Sequence, residues 1–412
     1  MSEITLHLEH LAYGGNAVGH HQGRAVFVPL GIPGETVRVE VLGERQGQLH
    51  GRLLEVLSPA PERVEPPCPY FGDCGGCHWQ HIDYAAQLRF KGEILAYQFA
   101  RLGQDGMGLL RPVLGMAEPW AYRNHVQLAV DAAGRLGYQA LRSHDVVPVE
   151  RCLVTAPLLD ELWEALDLEA AGLWRVSLRA GLHTGEQMII LEGDDEAIPA
   201  LTTELPVSCL YQCADGEVIV MAGNSFFHER LGGRLYRISG PSFFQVNTLQ
   251  AERLLQCVLA YLAPEPQETL LDAYCGVGTF ALALAPHVAE VVGIEASPWA
   301  LQDAQANAAD CASVTFHQGA VERVLPRLKR RFDAVILDPP RAGCAPVVLQ
   351  AVAACEPRRI VYVSCDPATL ARDIVRLAEL GFRTAEIQPI DLFPQTFHLE
   401  CVALLRREGR AH

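Results

Sequence analysis

Lysine is nearly absent from this chain, with Lys91 and Lys329 the only two in 412 residues. Lys and Arg together number 33 against 49 Asp and Glu, giving a formal net charge of -16 and a pI near 5.4. That balance excludes broad electrostatic capture of a phosphate backbone, which clustered cations drive. Any RNA contact therefore falls to local arginines such as Arg123, Arg358 and Arg359, because a guanidinium binds phosphate bidentately and stacks on bases. No run approaches eighteen uninterrupted apolar residues, and the start Met1-Ser-Glu-Ile-Thr-Leu-His7 lacks the basic segment and apolar stretch of a signal peptide. No membrane partner is expected, and the expected location is cytoplasmic. Thirteen unevenly spaced cysteines without a secretion signal favour thiols, metal ligands or catalysis over a disulfide framework.

What is present has globular composition, half hydrophobic and a fifth charged, in a length that calls for two or three folded units. Short β-type runs (Ala25-Val-Phe-Val28, Thr36 to Val41, Leu53-Leu-Glu-Val56) between Gly-rich turns predict a small closed barrel over 1–58. Ser58 to Pro67 is proline-dense and reads as a linker. The region 59–237 mixes cysteine-bearing loops, a helix from Tyr84 to Leu102 and alternating runs at His125–Val130 and Arg175–Arg179, an α+β pattern. Over 238–412, short apolar strands (Thr269–Asp272, Glu290–Glu295, Ala334–Asp338, Ile360–Val363) alternate with helical stretches, which predicts a doubly wound parallel sheet. The fold class is α/β, Rossmann-like, with an N-terminal barrel and an α+β centre. Nothing suggests an obligate dimer, so a monomer is expected.

The turn Asp272-Ala-Tyr274-Cys-Gly276-Val-Gly278-Thr279 joins an apolar strand to a helix over Ala281–Ala285, and Glu295 ends the next strand. Glycines there let backbone approach a ligand, and a carboxylate about twenty residues on can accept ribose hydroxyls. The spacing is not the dinucleotide fingerprint, and Asp272 would repel a pyrophosphate. S-adenosylmethionine fits better, since its sulfonium and amino groups welcome carboxylates and the face of Tyr274.

Asp338-Pro-Pro-Arg341 follows one buried strand, and Cys365 ends the next within Val361-Tyr-Val-Ser-Cys365-Asp-Pro. A thiolate is suited to adding at C6 of a uracil, which makes C5 nucleophilic. The hypothesis gives Cys365 that addition, Asp338 a hydrogen bond to the ring, and Glu400 of Phe397-His-Leu-Glu400 the C5 proton. Taken alone, Cys365 also reads as a small buried hydrophobe. In Phe243-Phe244-Gln245-Val-Asn247, Phe243 could stack a flipped base while Gln245 reads cofactor or base edges, although tandem aromatics usually pack in a core. Arg123 is a further candidate RNA contact. Cys68, Cys74 and Cys77 fall in ten residues around Gly75-Gly76, with Cys152 a remote fourth. Four thiolates suit zinc or an iron-sulfur cluster, and the single distant fourth ligand tilts toward [4Fe-4S]. His78 and His81 could substitute as ligands but pack locally as readily.

With these motifs assembled (Cys-x5-Cys-x2-Cys with distant Cys152, Phe-Phe-Gln-Val-Asn, Asp-x-x-Cys-Gly-x-Gly, Asp-Pro-Pro-Arg, Ser-Cys-Asp-Pro and His-x-Glu-Cys-Val), nearly the whole chain resembles bacterial RNA (uracil-5-)methyltransferases of the iron-sulfur, TRAM-domain type that modify 23S rRNA. The resemblance implies an OB-like TRAM barrel and [4Fe-4S] ligands Cys68, Cys74, Cys77 and Cys152. It also implies cofactor contacts at Gln245, Tyr274, Glu295 and Asp338, nucleophile Cys365 and base Glu400. Similar enzymes act on the T-loop uridine of tRNA, and RNA cytosine-5 methylation is the nearest chemical rival. The departure from the family is the barrel segment, which carries more Glu than Arg.

Overall fold

The strands Glu3–Leu11, Ala17–His21, Arg24–Val28, Thr36–Arg45 and Gln48–Ser58 close into a barrel in the order first, second, third, fifth, fourth. The structure is a computed structural model, and it describes residues 2–101, 108–141, 143–170, 172–194 and 200–408. Period-two alternation turns Leu6, Leu8, Val26, Val28, Val37 and Val39 inward. The same core receives Trp79, Phe90 and Ile94, so the barrel is seated on the helix Tyr84–Ala100, which Asp83 caps through the Ala85 and Ala86 amides. The helix ends before the expected Leu102, which lies outside the described residues.

The proline-dense stretch after the barrel forms no regular element, yet it is pinned. Buried Glu35 accepts from Ile32 N at 2.9 Å and from Arg63 Nη2 at 2.8 Å, while Ala60 packs into the barrel core. Removal of a buried carboxylate from water is tolerated because both oxygens are satisfied.

The centre is a seven-stranded sheet in the order Val218–Ala222, Ser208–Gln212, Gln187–Gly193, Leu173–Ala180, His125–Val130, Leu136–Gln139, Val146–Pro148. The helix Pro157–Glu164 buries Leu159 and Leu162 in its core. A hairpin, Phe226–Leu231 with Arg234–Ser239, shares the core of the C-terminal region through Phe227, Tyr236 and Ile238.

That C-terminal region has the expected doubly wound sheet, ordered Val314–Gln318, Glu290–Glu295, Thr269–Ala273, Ala334–Leu337, Arg359–Ser364, Glu400–Arg407, Phe382–Ile390. The first five strands pair in parallel, and Glu400–Arg407 runs antiparallel to both its neighbours. The inner parallel strands are mostly apolar because helices cover both faces, whereas the edge strand Val314–Gln318 is largely exposed. Among the described residues, no helix is long and apolar enough to cross a membrane.

Candidate active site

The antiparallel strand brings two distant motifs together. Its register pairs Ser364 with Cys401, so the next pair outward is Cys365 with Glu400, at the carboxyl ends of the parallel strands where ligands of this architecture bind. The neighbouring parallel register matches Leu337 with Tyr362, which sets Asp338 on the same rim. Cys365, Asp338 and Glu400 thus converge although 62 residues separate the first from the last of them in sequence (400 minus 338).

The rim is an acidic site poor in cations. Glu400 is buried, and desolvation with the nearby Asp338 charge raises its pKa well above the carboxylate range. Burial lifts Asp338 to about 7. Burial, then Asp338 and Glu295, lift Asp272 to about 8 against the opposing Ala281 amide, which donates to its Oδ2 at 2.9 Å. The other oxygen of Asp272 is buried without a partner. Burial and the Glu400 charge push the Cys365 thiol up to about 11, and Arg341 acts in the opposite sense on both Cys365 and Glu400. Arg341 is exposed, and it makes no ion pair among the described residues. A desolvated acidic rim is complementary to a cationic ligand, which would lower every one of these carboxyls.

The glycine turn is built for close approach. Tyr274, Gly276 and Gly278 all have positive φ (70°, 55° and 88°), and Gly278 caps the helix Thr279–Leu284 in the left-handed region that glycine adopts without a Cβ penalty. That cap starts the helix two residues earlier than periodicity indicates. Glu295 accepts from Gly276 N at 2.9 Å and Ser297 N at 2.7 Å, which fixes its carboxylate beside the turn. The Tyr236 hydroxyl donates to Thr279 O at 3.1 Å. In the upstream loop, Phe244 is buried against Tyr236 while Phe243 is 70% exposed, so the tandem aromatics divide into one core residue and one outward-facing ring. The backbone of Gln245 is held by Asn124 Nδ2 at 3.0 Å.

Cys68, Cys74, Cys77 and Cys152 line one cavity together with Phe71, Tyr138 and Val154. Backbone bonds from Gly75 N to Gln139 O and from Leu141 N to Asp73 O, both 2.9 Å, clamp the cysteine loop to the segment that delivers Cys152. Burial raises the Cys74 thiol and pushes Cys77 up to about 12. Among the described residues no three ligating side chains stand at the spacing of a single metal ion. The four thiols are nonetheless brought to one cavity. His81 does not join them; it is buried against Phe71, and desolvation lowers it to about 3.

Three arginines and a lysine stand away from the rim that carries Cys365, or are already engaged. Arg123 lines the cysteine cavity, with Gly76 O 3.5 Å from its Nη2. Arg358 and Arg359 lie at the amino end of their strand, opposite Cys365, and hold Glu268, with Arg359 Nη1 at 2.8 Å from its Oε1. Lys91 is fully buried on Asp391 at 2.6 Å. Arg358, Arg359 and Lys91 thus neutralise local carboxylates, while Arg123 faces the cysteine cavity, which their sequence neighbours do not reveal.

Sequence reading missed two contributors. The Tyr13 hydroxyl, from a barrel turn, donates to Asp366 beside Cys365. Gln395, at φ 68°, accepts from His78 N at 2.9 Å and Trp79 N at 3.0 Å, while Gln87 Oε1 accepts from its own N–H at 3.1 Å. The loop that ends on Glu400 is thereby tied to the cysteine loop. Neither residue has a sequence signal, because both act through contacts across hundreds of positions.

Comparison with known proteins agrees with this geometry. The family described as tRNA (Uracil-5-)-methyltransferase matches residues 323–408, and a methyltransferase domain matches 270–356. An uncharacterized RNA methyltransferase of Streptomyces avermitilis is 38% identical over 98% of this chain and 98% of its own. One from Thermosynechococcus vestitus is 38% identical over 98% and 97%. The crystal structure of Pyrococcus abyssi tRNA (uracil-54, C5)-methyltransferase with S-adenosyl-L-homocysteine superposes with a TM-score of 0.79 at 27% identity, covering 98% of this chain and 100% of that one.

Proposed function

We propose, from a chain that belongs to the RNA (uracil-5-)methyltransferase family and depends on S-adenosylmethionine, that it methylates C5 of a uridine in 23S rRNA through a covalent bond from Cys365 to C6. The observation that carries this is the antiparallel register that opposes Cys365 and Glu400 on the rim shared with Asp338. The cofactor supplies an electrophilic methyl group on a cationic sulfur. Gln245, Tyr274, Gly276, Gly278, Thr279, Glu295 and Asp338 would hold it, and its positive charge suits the acidic rim.

The Cys365 thiolate adds to C6, and the C5–C6 π pair moves to C5, which would take the methyl group the cofactor supplies as the methyl–sulfur bond breaks with its electron pair kept by sulfur. The Glu400 carboxylate then removes the C5 proton, the pair left behind restores the C5–C6 double bond, and the C6–S bond breaks to return the thiolate. Asp338, which burial keeps partly protonated near neutrality, donates to or accepts from the ring edge. Phe243, exposed beside Gln245, stacks on the extruded base. Arg341 favours the ionised forms of Cys365 and Glu400.

Cys68, Cys74, Cys77 and Cys152 hold a [4Fe-4S] cluster in this reading, supported by the one cavity that all four line. The proposed units are 1–58, 59–237 and 238–412, the first a TRAM barrel, although the hairpin Phe226–Leu231 with Arg234–Ser239 straddles the last boundary and packs on the third unit. A second reading, tRNA as substrate, is favoured by the solved tRNA enzyme, which matches this chain over its full length, barrel included. Mapping 5-methyluridine in rRNA and tRNA from a strain lacking the gene decides between them: loss of the mark from 23S rRNA supports the first, loss from tRNA the second. Labelled methyl transfer to cytidine but not uridine transcripts would sink both.

A further inference from the structure

A cavity of about 480 Å³ lies where three parts of the chain meet, and none of the residues assigned to catalysis lines it. Its walls come from the barrel (Gly14, Gly15, Leu30), the cysteine loop (Gly75, His78) and the central sheet (Gln139 to Leu141), and Phe397 lines it as well. The volume falls within the range of small-molecule pockets, roughly 300–1,000 Å³. No Lys, Arg, Asp or Glu is among its described lining residues, and His78 and His144 are the only titratable groups. Among the described lining residues a phosphate finds no Lys or Arg, whereas a neutral heteroaromatic ring finds the face of Phe397.

Two observations tie this cavity to the reacting centre. Phe397 stands three residues before Glu400, with its ring 4.7 Å from His78, 4.3 Å from His398 and edge-on to Tyr13 at 6.4 Å. It rests on Gly15, whose φ is +83° and where any Cβ would come within 2.8 Å of the Phe397 ring. The barrel turn of Tyr13 in turn bonds Asp366, adjacent to Cys365. A ring stacked on Phe397 would therefore sit beside the target uridine.

We infer that this cavity takes the unstacked base of a nucleotide flanking the target uridine, with Phe397 as its stacking face. The inference rests on the RNA reading of the site and adds a specificity-determining residue to it. Stacking binds any base without needing charge, consistent with a protein of net charge -16. It also gives the barrel a role that does not depend on cations: its Arg38 and Arg52 are already paired with Glu55 and Glu40.

The test uses the full-length protein and a short RNA carrying the uridine mapped above, with an abasic site at each neighbouring position in turn. For the wild type, one abasic site raises the KM for RNA about tenfold, the size expected for one stacked base. Phe397→Leu, which keeps apolar volume against the barrel, raises it as much on intact RNA, and the abasic site then adds nothing. Phe397→Tyr restores both values, and the KM for S-adenosylmethionine stays constant throughout. Penalties that multiply, or wild-type indifference to every abasic site, overturn the subsite while leaving the methyl-transfer reading intact. A wild-type protein that forms no 5-methyluridine in any RNA overturns both.

Discussion

At the scale of the residue, the site is governed by desolvated carboxyls awaiting a positive charge. Asp272 and Asp338 sit at about 8 and 7 in the folded chain, against 3.8 for the ordinary carboxyl, so the native state binds more protons than the unfolded one through roughly pH 4 to 8. Stability of the ligand-free protein therefore falls as pH rises through that window. Asp272→Asn, which keeps an acceptor for the Ala281 amide, should lose less, as thermal unfolding at pH 5 and pH 8 will show. The same titrations make S-adenosylmethionine bind more tightly at pH 8 than at pH 6 with proton release, measurable by calorimetry in buffers of different ionisation heat. Arg341→Gln removes the field that lowers both Cys365 and Glu400, so the rate–pH profile should move to higher pH; an unmoved profile would count against Arg341 as their counter-charge. Glu400→Gln should reduce turnover by about 10²–10⁴ while an RNA–protein adduct accumulates on denaturing gels, since addition proceeds without the base. Asp338 was legible as a carboxylate after an apolar strand and Glu400 from its motif; their raised proton affinity was not, because burial, and for Glu400 the nearby Asp338 charge, are properties of the assembled rim.

At the scale of the element, the helix Tyr84–Ala100 organises the loop that ends on Glu400. Its Lys91 is buried on Asp391, its Tyr84 hydroxyl donates to the other oxygen of Asp391 at 2.9 Å, and its Gln87 Nε2 reaches Gln395 Oε1 at 3.0 Å. Breaking such a pair leaves a buried charge uncompensated, so Lys91→Met should cost about 3–5 kcal/mol in denaturant unfolding. The double variant Lys91→Met with Asp391→Asn should recover most of that loss; no recovery would mean that packing rather than charge is at stake. The helix itself was readable from its 3.6-residue pattern, ending near where expected. Its partners were not, since they lie about 300 residues away in sequence. The helix after the glycine turn shows the converse case: Gly278 in the left-handed region starts it at Thr279, a conformational fact that apolar periodicity does not encode.

At the scale of the whole molecule, the barrel, the centre and the doubly wound sheet meet at one rim. The barrel shares its core with Trp79, Phe90 and partly buried Phe397, and the stretch after it is strapped down by Arg63 on Glu35. Although proline density marks a linker, the strap binds as firmly as an element would. Cys152 reaches the three-cysteine loop only because the central sheet edge carries it there. On the cluster proposed above, Cys152→Ser should abolish the visible absorbance and the iron content of purified protein, read by spectroscopy and metal analysis without any activity assay. Full retention of both would remove Cys152 from the ligand set.

By itself the sequence determined the α/β class, the closed barrel, the strand that ends on Cys365 and the donor turn, because local periodicity, glycine placement and motif spacing are written in adjacent residues. Only the tertiary structure decided which cations are already neutralised, how far each rim carboxyl is shifted, and that Tyr13 bonds Asp366 beside Cys365 with the Phe397 ring edge-on to Tyr13. Those properties arise from desolvation and from contacts between segments remote in the chain, and neither exists until the sheet, the barrel and the cysteine loop have closed on one another.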